Sequence, residues 1–184
     1  MLIAQQKRKE NIAEYLLYMW QVEDLLRACK LDIDTVDRRL IAGFGLDDER
    51  HRQAREWYDS LIEMMRRENK KETGHLQINI NTLIRLNDLH LLLLHDATRF
   101  PEYGAEFYKT LPFIVELRAR MPQGEETGEL ETCFNALYGT LLLKLQGKAL
   151  TPATQKAIGQ ISHFIGMLAA YFKKDEEQPL FDND

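Results

Sequence analysis

The chain has 184 residues, a length that suits one domain of ordinary size. At 45% hydrophobic residues it can fill a sizeable core, and ten glycines and five prolines are few enough to permit long helices. A net charge of −5 with 29% charged residues fits a soluble protein and excludes an overall attraction to nucleic acid.

The opening residues, MLIAQQKRKE, do not read as a signal peptide: the apolar run is too short, and the charges follow it instead of preceding it. A first helix is expected from Gln5 to Cys29. Ile12, Leu16, Met19, Val22, Leu26 and Cys29 recur at spacings of three and four and form one apolar stripe, which Tyr15, Tyr18, Trp20 and Leu25 widen. A short helix follows, with Asp34 as its N-cap, Asp37 in its first turn, and Gly43 and Gly45 to stop it. Asp47 caps a third helix with an inner face of Ala54, Trp57, Tyr58, Leu61, Ile62 and Met65. Arg66, Arg67, Lys70 and Lys71 crowd its far end, and Gly74 is placed to stop it. Such a basic cluster more often complements the helix dipole; its other use is to hold an anion or a partner.

The stretch from Leu76 to Asp96, LQININTLIRLNDLHLLLLHD, is the most apolar in the chain and predicts a central helix. It should form an antiparallel pair with the third helix. At 100° per residue one arc gathers Leu76, Ile80, Leu83, Ile84, Leu91 and Leu94, while Leu86, Leu89 and Leu93 extend the apolar surface round the other side. Gln77, Asn81, Arg85, Asp88, His95 and Asp96 form a polar strip. Arg85, Asp88, His90 and Asp96 make a membrane span too costly. Asn87 and His90 fall on the apolar arc, three residues apart and so side by side. The simpler reading is a hydrogen-bonded pair that fixes helix register; the sharper one is a ligand or metal contact. Leu83 is expected to be fully buried.

Arg99-Phe100-Pro101 opens a fifth helix, which Pro112 should kink or split. Phe107, Leu111, Phe113, Ile114, Leu117 and Met121 face inward, and Pro122 to Gly128 is an acidic loop. A sixth helix carries Leu130, Cys133, Phe134, Leu137, Leu141, Leu142 and Leu145 and ends at Gly147. Thr151-Pro152 starts a seventh. Its inner face is Ile158, Ile161, Ile165, Leu168 and Phe172; a second face of Gly159, His163, Gly166 and Ala170 is small enough for another helix to approach closely. His163 there either fills a notch in a packed neighbour or lines a crevice, with His90 as its companion. The charged tail from Lys173 is expected to be disordered.

The expected fold is therefore all-α: a single-domain antiparallel bundle of about six longer helices and one short one, over residues 1–174, with an acidic tail at 175–184. No catalytic constellation, cofactor fingerprint or metal set emerges. Only one Glu stands three before a His, Glu72 before His75, where a di-iron bundle needs two such pairs. The His95-Asp96 doublet resembles that of the HD phosphohydrolases over two residues only, and no Asp lies between Asp96 and Asp175 to complete such a site. Ser60 and Ser162 sit in no nucleophile turn, and Gly43-Phe44-Gly45 alone is a turn. Cys29 and Cys133 have no CxxC spacing and fit reduced core residues of a cytoplasmic protein.

In its length, helical layout, LNDLHLLLLHD core helix and short acidic tail, the chain resembles an uncharacterised family of small all-helical proteins from Bacteroidetes bacteria. The resemblance implies the fold and a cytoplasmic location, and no activity. Two functions remain. One is an interaction or scaffold module, self-associating or binding a protein partner. The other is a small-molecule binder or small enzyme with a polar pocket at Asn87 and His90, His163 being the further candidate. A closed core favours the first, and a cavity with converging polar groups favours the second.

Overall fold

A computed structural model describes residues 2–120 and 127–181 of the chain. Among these residues the structure is all-α, with eight α-helices, one short 3-10 turn and no strand. The helices are α1 (Leu2–Glu10), α2 (Ile12–Ala28), α3 (Ile33–Arg39), α4 (Asp48–Arg67), α5 (Gln77–His95), α6 (Pro101–Arg118), α7 (Glu129–Leu145) and α8 (Pro152–Glu177). Six are long, as expected.

Local sequence explains most of the boundaries and corrects several. The expected first helix is two helices, because Asn11 interrupts it. Asn11 leaves the helical region (φ −154°, ψ 105°) and its side chain accepts from the backbone N–H groups of Ala13 and Glu14. A short polar side chain that caps a new helix outcompetes continuation of the old one. Asp32, and not Asp34, caps α3 through the Thr35 N–H. Asp47 caps α4 as expected. That helix ends at Arg67, before Gly74, through Asn69 in the left-handed region. Pro112 lies inside a continuous α6. Pro112 and Tyr108 are both exposed, so the Tyr108 carbonyl that loses its partner can turn to water. Gly147, at φ +71°, closes α7: its N–H donates to Lys144 O and that of Lys148 to Leu143 O. Thr151 and Pro152 start α8 as expected.

Two apolar cores form. The larger joins Leu16 and Trp20 of α2 with Leu86, Leu89 and Leu93 of α5, Tyr103 and Phe107 of α6, Phe134 of α7, and Phe164 and Leu168 of α8. The smaller joins Met19, Val22 and Leu26 of α2 with Val36 of α3, and Tyr58, Ile62 and Met65 of α4. Helix α2 therefore serves both. The expected α4–α5 pair is not a unit: α4 belongs to the smaller core and α5 to the larger, and only Leu76, just ahead of α5, reaches into α4's core.

The central helix buries a different face from the one expected. Asn79, Thr82, Leu86, Leu89, His90 and Leu93 are buried. Leu83 and Asn87 are only half-buried, while Ile84 and Leu91 are 50% and 53% exposed. The buried arc is rotated by about a third of a turn from the arc chosen on hydrophobicity. Leu145, expected inside, is 63% exposed. The acidic loop 122–128 and Met121 lie outside the described residues except for buried Thr127 and exposed Gly128. The expected disordered tail is helical to Glu177, and Leu180 and Phe181 then pack on the larger core. Phe181 meets Phe100, and Arg99 covers both rings while donating to Leu180 O.

Candidate functional site

Where the two cores meet, α2, the segment between α4 and α5, the outer flank of α5 and the start of α7 enclose a cleft of about 450 Å³. Trp20, His75, Asn79 and Asn87 line it, with Ile80, Leu83, Ile84 and Leu130 as apolar wall, and Lys70 and Glu131 also in its lining. Ile80, Leu83 and Ile84, which the fold leaves partly uncovered, are thus the α5 wall of a cavity, while the exposed Ile78, Leu91 and Leu92 lie outside it.

The floor is organised by Glu23. Its side chain is 1% exposed, and it lies on the apolar stripe of α2. One oxygen accepts from the Leu76 backbone N–H at 2.9 Å and from Asn79 Nδ2 at 2.6 Å; the other meets His75 Nδ1 at 2.6 Å. A buried carboxylate is costly unless its lone pairs are met. Here three donors meet it at the N-terminal end of α5, where the helix dipole favours a negative charge. With Nδ1–H donating to Glu23, His75 is held flat on the Trp20 indole, rings 4.0 Å apart and 12° from parallel. Phe134 and Tyr138 meet the same indole edge-on.

Arg27 pins the segment that carries His75. Its guanidinium donates to the backbone carbonyls of Lys70 and Gly74 and to Asp24. Asp24 also accepts from the Tyr138 hydroxyl at 2.6 Å. Burial, followed by that bond to Asp24, raises the Tyr138 pKa, so the phenol stays protonated. A long unstructured connection is thereby held at both ends against α2.

The residues singled out from the sequence separate. Asn87 lines the cleft. His90 does not belong to its lining; it lies in the larger core, 0% exposed, boxed by Tyr103, Phe107 and Phe164. Its Nδ1 is 2.6 Å from the Tyr103 hydroxyl. Its Nε2 has no hydrogen-bond partner among the described residues, and Glu129 stands 4.0 Å away. Burial pulls its pKa down to about 4, so the ring is neutral at pH 7. His90 and Asn87 are thus not a joint site.

His163 is not inward at all: its side chain is 66% exposed, 3.7 Å from Glu106. His90, buried in the larger core, does not share that exposed surface. Of the basic cluster, Arg66 is bound to Glu63 and to Leu31 O, Arg67 and Lys71 are exposed, and Lys70 lines the cleft. Cys29 and Cys133 are free and buried, and burial pushes the Cys133 thiol up to about 12, which leaves it unreactive. Among the described residues no group of three His, Cys, Asp or Glu side chains could hold a metal, and no helix is long and apolar enough to cross a membrane.

Trp20, Glu23, His75 and Asn79 were not singled out from the sequence. Glu23 carried a signal, since it falls on the stripe of Met19, Val22 and Leu26. Asn79 carried one too, being in phase with Leu86 and Leu93 at spacings of seven. His75, between a glycine and a leucine outside any helix, carried none.

The structure defines a class: an all-α bundle with two cores and a partly apolar cleft floored by a buried carboxylate network. The chain belongs to the family described as a domain of unknown function (DUF4924), whose model matches residues 1–179. Comparisons with curated proteins and with solved structures find no match.

Proposed function

We propose that this protein is a small-molecule-binding module of the cytoplasm, and that its ligand sits in the cleft between Trp20, His75, Asn79 and Ile84. The observation that carries the reading is the convergence of four polar side chains, Trp20, His75, Asn79 and Asn87, on a cavity whose other wall is apolar. Ligand pockets combine a largely apolar lining with a few placed polar groups in this way. The pinning of the His75 segment by Arg27 supports it, because a preformed site loses less entropy on binding. Reduced, buried Cys29 and Cys133 suit the location.

Two tryptophans are present, so a Trp57→Phe variant leaves Trp20 as the single indole reporter. In a fragment screen by NMR, compounds that fill the cleft are expected to shift the Trp20 indole resonance. Leu83→Phe, which fills the wall without adding a second indole, should abolish those shifts. A screen in which no fragment moves that resonance would end the proposal.

A self-associating module is the second reading. It rests on α8, where Gly159, His163, Gly166 and Ala170 are all exposed and a Cβ added at either glycine meets nothing within 4 Å. The face made for close approach is unused among the described residues. Light scattering tests it: a dimer that dissociates in Gly166→Arg supports it, and a monomeric wild type rejects it.

A further inference from the structure

Two residues of the cleft lining each carry a side-chain atom that is buried without a partner among the described residues: Trp20 Nε1 and Asn79 Oδ1. An indole nitrogen only donates and an amide oxygen only accepts. The orientation of the Asn79 amide is fixed, because its nitrogen faces Glu23 Oε1, an acceptor. The two groups belong to one network. His75, stacked on Trp20, bonds one oxygen of Glu23, and Asn79 bonds the other. Buried polar atoms in folded proteins are nearly always satisfied, so a lone donor and a lone acceptor in the wall of one cleft point to a ligand that supplies both partners.

Charge decides against an ion. Lys70 and Glu131 are of opposite sign in the lining. The N-terminal end of α7 beside them already carries Glu129 and Glu131, which answer its dipole. The Glu23 carboxylate is fully engaged by its three donors.

Building on the cleft as a ligand site, we infer that its ligand is an uncharged molecule with an amide-type edge on a small apolar or aromatic body. In that edge, as in a carboxamide, a lactam or a nucleobase, a carbonyl oxygen stands next to an N–H. The carbonyl accepts from Trp20 Nε1–H, the N–H donates to Asn79 Oδ1, and the body lies on Ile80, Leu83 and Ile84. Both polar atoms are shut off from bulk solvent, so the head group reaches them as rim side chains turn aside. Lys70 and the 50% exposed Ile84 stand in the same lining.

The probes are benzamide, benzoate and toluene, which share a ring and differ in the edge. Affinities are read by ligand-observed NMR, and the Trp20 indole resonance in the Trp57→Phe background reports the site. Benzamide is expected to bind about tenfold tighter than either of the others, the worth of one well-made hydrogen bond. Trp20→Phe, which keeps a ring for stacking and removes the N–H, should weaken benzamide about tenfold and leave toluene unchanged. Asn79→Leu should do the same; if it disturbs the fold through Glu23, Trp20→Phe and the wild-type ratios decide. Equal binding of all three at the Trp20 site leaves the cleft standing and overturns the amide edge. Tightest binding by benzoate overturns it in favour of an anion. No binding by any probe at that site sinks both the amide edge and the cleft as a ligand site for small rings.

Discussion

His90 is a polar residue surrounded by aromatic rings, and its environment makes the fold sensitive to acid. Burial lowers its pKa from 6.5 to about 4. The folded state therefore resists a proton that the unfolded chain accepts. Above pH 6.5 both states hold a neutral ring and nothing is lost. As pH falls from 6.5 towards 4 the unfolded state gains protons first, and stability drops. At pH 4.5 the loss from this residue is about 2–3 kcal/mol. His90→Phe keeps a ring in the box and removes the titration. Urea unfolding at pH 7 and at pH 4.5 should show the wild type losing about 2–3 kcal/mol more than the variant between the two. An equal loss in both would show that His90 titrates normally. Glu23 is the contrasting case, a buried carboxyl group whose oxygens are met by the Leu76 N–H, Asn79 and His75.

Helix α5 shows how much a face assignment matters. Leucines on nearly every side satisfied the apolar criterion at several rotations, so hydrophobicity alone chose the arc of Leu83, Ile84 and Leu91. Packing chose the arc of Leu86, Leu89 and Leu93, which meets α2, α6, α7 and α8 in the larger core. Leu86 is 1% exposed, so Leu86→Ala should cost about 2–5 kcal/mol, as large-to-small core changes do. Leu83, half-buried on the cleft wall, has fewer contacts to lose, and Leu83→Ala should cost about 1 kcal/mol. Equilibrium denaturation of the two variants tests the rotation directly. A larger cost at Leu83 would return the helix to the arc expected from the sequence.

At the scale of the whole molecule the segment that follows α8, as far as Phe181, is part of the fold. Leu180 N–H donates to Asp175, Arg99 donates to Leu180 O, and Phe181 closes on Phe100. A charged segment that would be disordered alone is ordered by two apolar side chains and one arginine. Phe181→Ala should therefore lower stability by about 1–2 kcal/mol, measured by denaturant midpoint, whereas a solvated tail would give no change. The two cores share α2, with Trp20 in one and Met19 and Val22 in the other. The Glu23 network crosses their junction, and the cleft opens there.

Helix positions and most stops were readable because they depend on neighbours in the chain. Apolar periodicity over one helix, a capping side chain three residues from its N–H, and a proline in a first turn all act locally. Asn11 was missed although its signal is local, because no glycine or proline marks the position and only the cap geometry tells a break from a continuation. The cleft was not readable in the same way. Glu23 and Asn79 are 56 positions apart, and Glu23 and His75 are 52 apart. What the sequence by itself determined was the helical class, the six long helices and two polar oddities on apolar faces, Asn87 and His90. Which apolar face is buried, which polar groups converge, and where a wall is left without a partner were decided by tertiary packing. Burial is a property of what lies opposite a side chain, and nothing local in a helix records it.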